Sequence, residues 1–188
     1  MAPKHDEAER LEFASRDEWR AWLTANHETS PGVVVIYPRK ASGLPGPAYE
    51  DLIEDALCFG WIDGTLRPVD DKRTSLYFTQ RRKGGIWAAS NKARVERLRA
   101  AGLMTAAGEA VITRAIEDGS WTILDRSEAL EPPDELTAAL AVRPGAAAAF
   151  DALAPSMRKQ LIYNVDSAKR PETRQRRAES IADGLVGS

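Results

Sequence analysis

Residues 49–64 read YEDLIEDALCFGWIDG. Leu52, Ile53, Ala56 and Leu57 fall on one face of a helix, with Glu50, Asp51, Glu54 and Asp55 on the other. Gly60 stops that helix. Trp61–Val69 then reads as a strand. Asp63-Gly64 lies near its start, where a glycine lets the backbone bulge and expose the carboxylate. A helix passing into a strand here points to an α+β fold.

The flanking sequence extends this reading. Downstream, a turn at Asp70-Asp71 leads into a second strand, Thr74–Thr79. Upstream, Val33–Tyr37 is β-branched and aromatic, a buried strand closed by Pro38. Pro31-Gly32 marks a turn before it, and the glycines and prolines of Arg39–Pro47 spell a loop after it. Ser15 and Glu18 fit a capping box for a helix over 16–26 carrying Trp19, Trp22 and Leu23. Ser90 and Thr105 are expected to cap two further helices, ended by Gly102 and Gly119. Residues 120–133 read as extended or irregular, with Pro132-Pro133 as a linker. Helices are expected over about 134–142, 145–153, 155–166 and 172–185, where Pro144, Pro155 and Pro171 suit helix starts. The expected architecture is a small, mostly antiparallel sheet packed with helices, followed by a helical C-terminal part. The organisation is a flexible tail at 1–14, an α+β core at 15–130, and a helical part at 131–188 packed on that core.

Composition narrows the function classes. The 188 residues are 43% hydrophobic and 29% charged, the balance of a globular protein. No apolar run approaches the roughly 20 residues of a membrane span. The first ten residues lack the apolar block of a signal peptide. The single cysteine, Cys58, excludes an internal disulfide and a cysteine zinc cage; the two histidines, His5 and His27, make a histidine metal site improbable. No cofactor is implied. The net charge of −2 conceals blocks: −6 over 1–72, +7 over 73–99, −6 over 100–135 and +3 over 136–188. The basic block either pairs with the acidic ones or attracts an anion.

Two segments concentrate chemistry. One is Trp61-Ile62-Asp63-Gly64. The other runs from Phe78 through Gln80, Arg81, Arg82, Lys83, Gly84 and Gly85 to Trp87, then Ser90-Asn91. Backbone N–H groups after three cations could meet a phosphate or carboxylate, although the Walker spacing is absent. Asp63 is expected to pair with Arg81; acid/base chemistry is its other reading. Cys58 is read as a small buried hydrophobe and not a nucleophile. Trp61, Trp87 and Trp121 suit a core better than stacking platforms. Lys169, Arg170, Arg174, Arg176 and Arg177 cluster at a helix start, where the dipole disfavours cations, so acidic neighbours or an external polyanion should meet them.

Four stretches resemble the YdeI/OmpD-associated, or bacteriocin-protection, family. They are Trp19-x-x-Trp22-Leu23 with Arg39-Lys40; Tyr49-Glu50 leading into Ala56–Gly64; Phe78 to Gly108 with Arg81-Arg82, Trp87, Asn91, Arg94-Val95, Leu98 and Gly102-Leu103-Met104; and Ala168-Lys169 with Glu172-Thr173-Arg174 and Arg177. The chain departs from the family at Gln80, where proline is usual, and at Gly85 and Ala88, where serines are usual. The resemblance implies a bacterial cytoplasmic protein that protects against bacteriocins or antimicrobial peptides. It implies no reaction or cofactor.

The first reading is therefore a non-enzymatic stress or resistance protein that binds a small anionic ligand or a protein partner. Its candidate ligand-binding residues are Lys40, Trp61, Asp63, Arg81, Arg82, Trp87 and Asn91. The alternatives are a nucleic-acid-binding protein using the basic segments 81–99 and 169–177, and an enzyme with Asp63 as acid/base.

Overall fold

Strands β1 (Glu9–Glu12), β2 (Val33–Pro38), β3 (Trp61–Pro68) and β4 (Arg73–Gln80) form one sheet in the order β1-β2-β4-β3. The structure is a computed structural model, and it describes residues 5–187. β4 pairs antiparallel with both β2 and β3, whereas β1 runs parallel to β2, with Glu9 opposite Val33 and Glu12 opposite Ile36. The fold is α+β, as the sequence implied. The tail expectation needs correction, because Glu9–Glu12 is a strand; residues 1–4 lie outside the described residues. Its ERLE sequence has no apolar alternation; it adds to the edge of β2, and Glu12 accepts from Arg73 of β4 at 2.7 Å.

The chain divides into two compact units. The first holds the residues up to Gly85 and Ser90–Asp118; the second holds Ile86–Ala89 and the residues from Gly119 onward. The sequence placed the junction later, at residue 130.

In the first unit, α1 (Arg16–Asn26) and α2 (Tyr49–Cys58) cover the sheet face that carries Val33, Val35, Trp61, Leu76 and Phe78, all buried. Trp19 packs on Phe78 with ring centroids 5.2 Å apart, and its indole N–H donates to the Leu52 carbonyl at 3.1 Å. Each large side chain fully buried there contributes roughly 1.5–3 kcal/mol. Ser15 caps α1 by accepting from the Glu18 N–H, but Glu18 reaches back to the Ala14 N–H instead of the Ser15 N–H. Two further helices are α3 (Ala89–Ala100) and α4 (Ala106–Glu117), the latter capped by Thr105 as expected.

α4 meets the end of α2 through two glycines. Gly60 has φ +75°, and a Cβ there would lie 2.6 Å from Val111 Cγ2. A Cβ on Gly108 would lie 2.3 Å from the Cys58 carbonyl oxygen. Both positions therefore demand the smallest side chain.

The second unit contains α5 (Asp125–Glu128), α6 (Asp134–Val142), α7 (Ala146–Asp151), α8 (Pro155–Asp166) and α9 (Pro171–Val186). The segment 120–133, expected to be irregular, thus holds a short helix. Leu136, Leu140, Phe150, Ile162, Val165, Ala178 and Ala182 form this unit's core. Among the described residues, no helix is long and apolar enough to cross a membrane.

Candidate functional site

The bulge expected at Asp63-Gly64 is present. Asp63 stands opposite Phe78, but Leu66 stands opposite Leu76, so β3 has one extra residue between them. Asp63 is half-buried. Its carboxylate attracts Arg81 and Arg94 and opposes ionisation of Tyr37 and Tyr49. The sequence paired Asp63 with Arg81, and the two attract each other. Arg81 is buried just past β4, with its backbone N–H donating to the Gly60 carbonyl at 3.0 Å. Burial pulls its guanidinium down to a pKa of about 10, and Asp63 opposes that shift.

Arg81 and Arg82 line a hollow of about 350 Å³ with Thr29, Ser30, Pro31, Thr79 and Gln80. Two arginines and three hydroxyl-bearing residues line it, with no acidic residue. The loop after α1 is tied to the sheet here. Gln80 Nε2 and the Trp61 indole N–H both donate to the His27 carbonyl, at 2.7 and 3.1 Å. Thr79 Oγ1 donates to the Pro31 carbonyl at 3.3 Å. The Gln80 amide makes this tie, which a proline there could not. An adjoining hollow of about 280 Å³ shares Gln80 and Arg81 and adds His27 and Arg114.

The other expected site residues are dispersed. Trp61 is fully buried and packs edge-on against Trp22, 5.8 Å between centroids. Asn91 accepts from Arg94 Nη1 at 3.1 Å. Lys40 lines a different hollow, with Tyr37 and Tyr49. Trp87 belongs to the second unit, buried with its ring 4.9 Å from that of Trp121. Arg82 and Lys83 are exposed. The Gly84 N–H donates to Asp118 at 3.0 Å, so a carboxylate of the chain itself already occupies that amide.

Much of the basic block is paired within the chain. Glu50 accepts from Arg94 at 2.8 and 2.9 Å, and Arg97 reaches Glu50 and Glu54. Arg99 holds Glu109, and Arg174 holds Asp166. These pairs leave fewer cations for a nucleic acid. Cys58 is fully buried, and burial pushes its thiol pKa up while Arg20 opposes the shift. That is the environment of an inert thiol. Among the described residues, no cluster of histidine, cysteine or acidic side chains could hold a metal ion.

The sequence reading missed Thr29, Ser30, Tyr37, Tyr49 and Arg114. It read Tyr37 as part of a strand and Glu50 as solvating a helix face. Only the fold brings Thr29 and Ser30 beside Arg82, across about 50 residues of chain.

The architecture is that of an α+β protein with an additional helical unit. Two family models match it: Domain of unknown function (DUF8412) over residues 11–111, and Bacteriocin-protection, YdeI or OmpD-Associated over residues 129–185. The chain belongs to the DUF8412 family and carries the YdeI/OmpD-associated region at its C-terminal end. Of the four stretches that suggested the resemblance, only the last falls within 129–185; the first three fall within 11–111. No curated protein and no solved structure matches the chain.

Proposed function

We propose that the first unit binds a small oxyanion, a phosphate or carboxylate, in the hollow of Thr29–Pro31 and Thr79–Arg82, and that the protein protects against bacteriocins or antimicrobial peptides by binding and not by catalysis. The observation that carries the binding reading is the lining: two arginines with no carboxylate among them, while the hydroxyls of Thr29, Ser30 and Thr79 donate to backbone carbonyls. Guanidinium groups suit bidentate contact with oxyanions. Arg82 has no ion pair among the described residues, so its charge is free for a ligand. The protective role is supported by the name of the C-terminal family match.

The test is thermal melting of the full chain with added inorganic phosphate. Binding to the native state alone raises the melting temperature with ligand concentration. Arg82→Ala should melt like the parent without phosphate, within roughly 0.5 kcal/mol as for other surface substitutions, yet lose most of the phosphate-induced rise. A parent whose melting temperature ignores phosphate, or an Arg82→Ala protein that responds fully, would refute the site.

A further inference from the structure

Tyr37 and Tyr49 frame a separate hollow of about 350 Å³, completed by Pro38, Lys40, Ala48 and Glu50. We propose that this hollow is a binding site for a small aromatic carboxylate. Tyr37 lies one residue before the end of β2 and is only 5% exposed. Tyr49 opens α2 and is 42% exposed. Their rings stand 6.4 Å apart at 37°, with the Pro38 ring beside them. Flat apolar walls of this kind suit an aromatic ring, and the volume suits a small molecule.

The polar groups select an acid. The Tyr37 hydroxyl has no hydrogen-bond partner among the described residues, although its ring is buried and lines the hollow. That hydroxyl is open to solvent, so it can donate to a ligand oxygen in place of water. Burial holds that phenol protonated, so it is a donor throughout the physiological range. Lys40 carries a charge with no ion pair among the described residues. The carboxylate of Glu50 does not cancel it, because Arg94 grips Glu50 with two hydrogen bonds and Arg97 adds a third contact. The nearby Asp63 charge is likewise offset by Arg81 and Arg94. The first-turn amides of α2, at Tyr49 and Glu50, precede its first internal bond, Leu52 N–H to Ala48 C=O, and add positive potential. In the proposed pose the ligand ring lies on Tyr49, and its carboxylate meets Lys40 and the Tyr37 hydroxyl.

The probe is benzoate, with benzamide as its neutral counterpart, titrated calorimetrically into the full chain. Saturable benzoate binding is expected, at least about tenfold tighter than benzamide, a gap of about 1.4 kcal/mol. Lys40→Gln and Tyr49→Ala replace exposed side chains, so both variants should melt like the parent while weakening benzoate about tenfold. Tyr37→Phe should weaken it as well. Absence of saturable binding, equal affinity for the amide, or full affinity in both Lys40→Gln and Tyr49→Ala would overturn the proposal. The oxyanion hollow shares none of these residues. Arg82→Ala should therefore leave benzoate binding intact, which keeps the two readings separately testable.

Discussion

Arg16 grips Asp55 with two parallel hydrogen bonds, Nε to Oδ2 at 3.0 Å and Nη2 to Oδ1 at 3.1 Å. The Asp55 carboxylate is fully buried, and Arg20 adds a third bond at 2.7 Å. Arg16 also reaches Asp51 and Glu54, so one side chain of α1 ties down the acidic face of α2. That face looked solvated in the sequence; the arginines opposite it make it an interface.

Removing Arg16 should therefore be costly. A buried carboxylate deprived of a partner loses several kcal/mol, and Arg20 remains to soften the loss. Arg16→Ala should destabilise the protein by about 3 kcal/mol, read by chemical denaturation. Arg97→Ala breaks only an exposed contact and should cost under about 1 kcal/mol. Equal costs for the two variants would contradict the role given to burial.

Gly108 permits a close approach that no other residue allows. Its missing Cβ would stand 2.3 Å from the Cys58 carbonyl oxygen and 2.9 Å from its carbonyl carbon. Both are backbone atoms and cannot turn aside as a flexible side chain could. Gly108→Ala should thus destabilise by about 1–3 kcal/mol, although alanine is the better helix former. Gly184→Ala is the control, since nothing lies within 4 Å of the added carbon there. It should be neutral or stabilising in the same denaturation experiment.

The elements with strong local signals were legible in the sequence. Ser15 and Thr105 cap helices because their hydroxyls accept first-turn amides, a relationship confined to neighbouring residues. The Asp63-Gly64 bulge followed from a glycine early in a strand. β1 was not legible, because its partner edge lies more than 20 residues away and its own side chains carry no pattern. The candidate site was legible only at Arg81 and Arg82. The hydroxyls beside them come from the turn after α1, and nothing local in Thr29-Ser30 announces that placement. Trp87 lay close to Arg81 in sequence, yet it belongs to the other unit. Closeness along the chain was a poor guide there.

Tyr37 should also mark alkaline pH. An unfolded phenol ionises near pH 10, whereas burial, followed by Tyr49 and Asp63, pushes Tyr37 up to about 12. Between those values the unfolded chain has released a proton that the folded chain keeps. The unfolded state then binds fewer protons, so stability falls as pH rises. The contribution is intact below about pH 10 and disappears through about pH 12. Difference titration of phenolate absorbance between the parent and Tyr37→Phe should assign the missing phenol a pKa near 12. The melting temperature of Tyr37→Phe should also fall less steeply over this range. A missing phenol that titrates near 10 would show that Tyr37 is solvated.

α9 supplies part of the second unit's core. Ala178 and Ala182 lie one turn apart on its inner face, and both are fully buried with Phe150, Ile162 and Val165. Ile181 and Leu185 pack on the same cluster from its margin. Alanines let the helix come close, so the core tolerates little extra volume there. Ala182→Leu should cost about 1–3 kcal/mol by overpacking. Deleting residues 167–188 should do more, because it uncovers the Phe150, Ile162 and Val165 cluster to water. The truncated chain should melt at a lower temperature and bind a hydrophobic dye that the parent does not. The ion pair of Arg143 with Asp183 provides a contrast, since Asp183 is exposed on the same helix. Asp183→Asn should leave the melting temperature near that of the parent. If the truncated chain and Ala182→Leu both melt like the parent, α9 is an appendage and the core of the second unit stands without it.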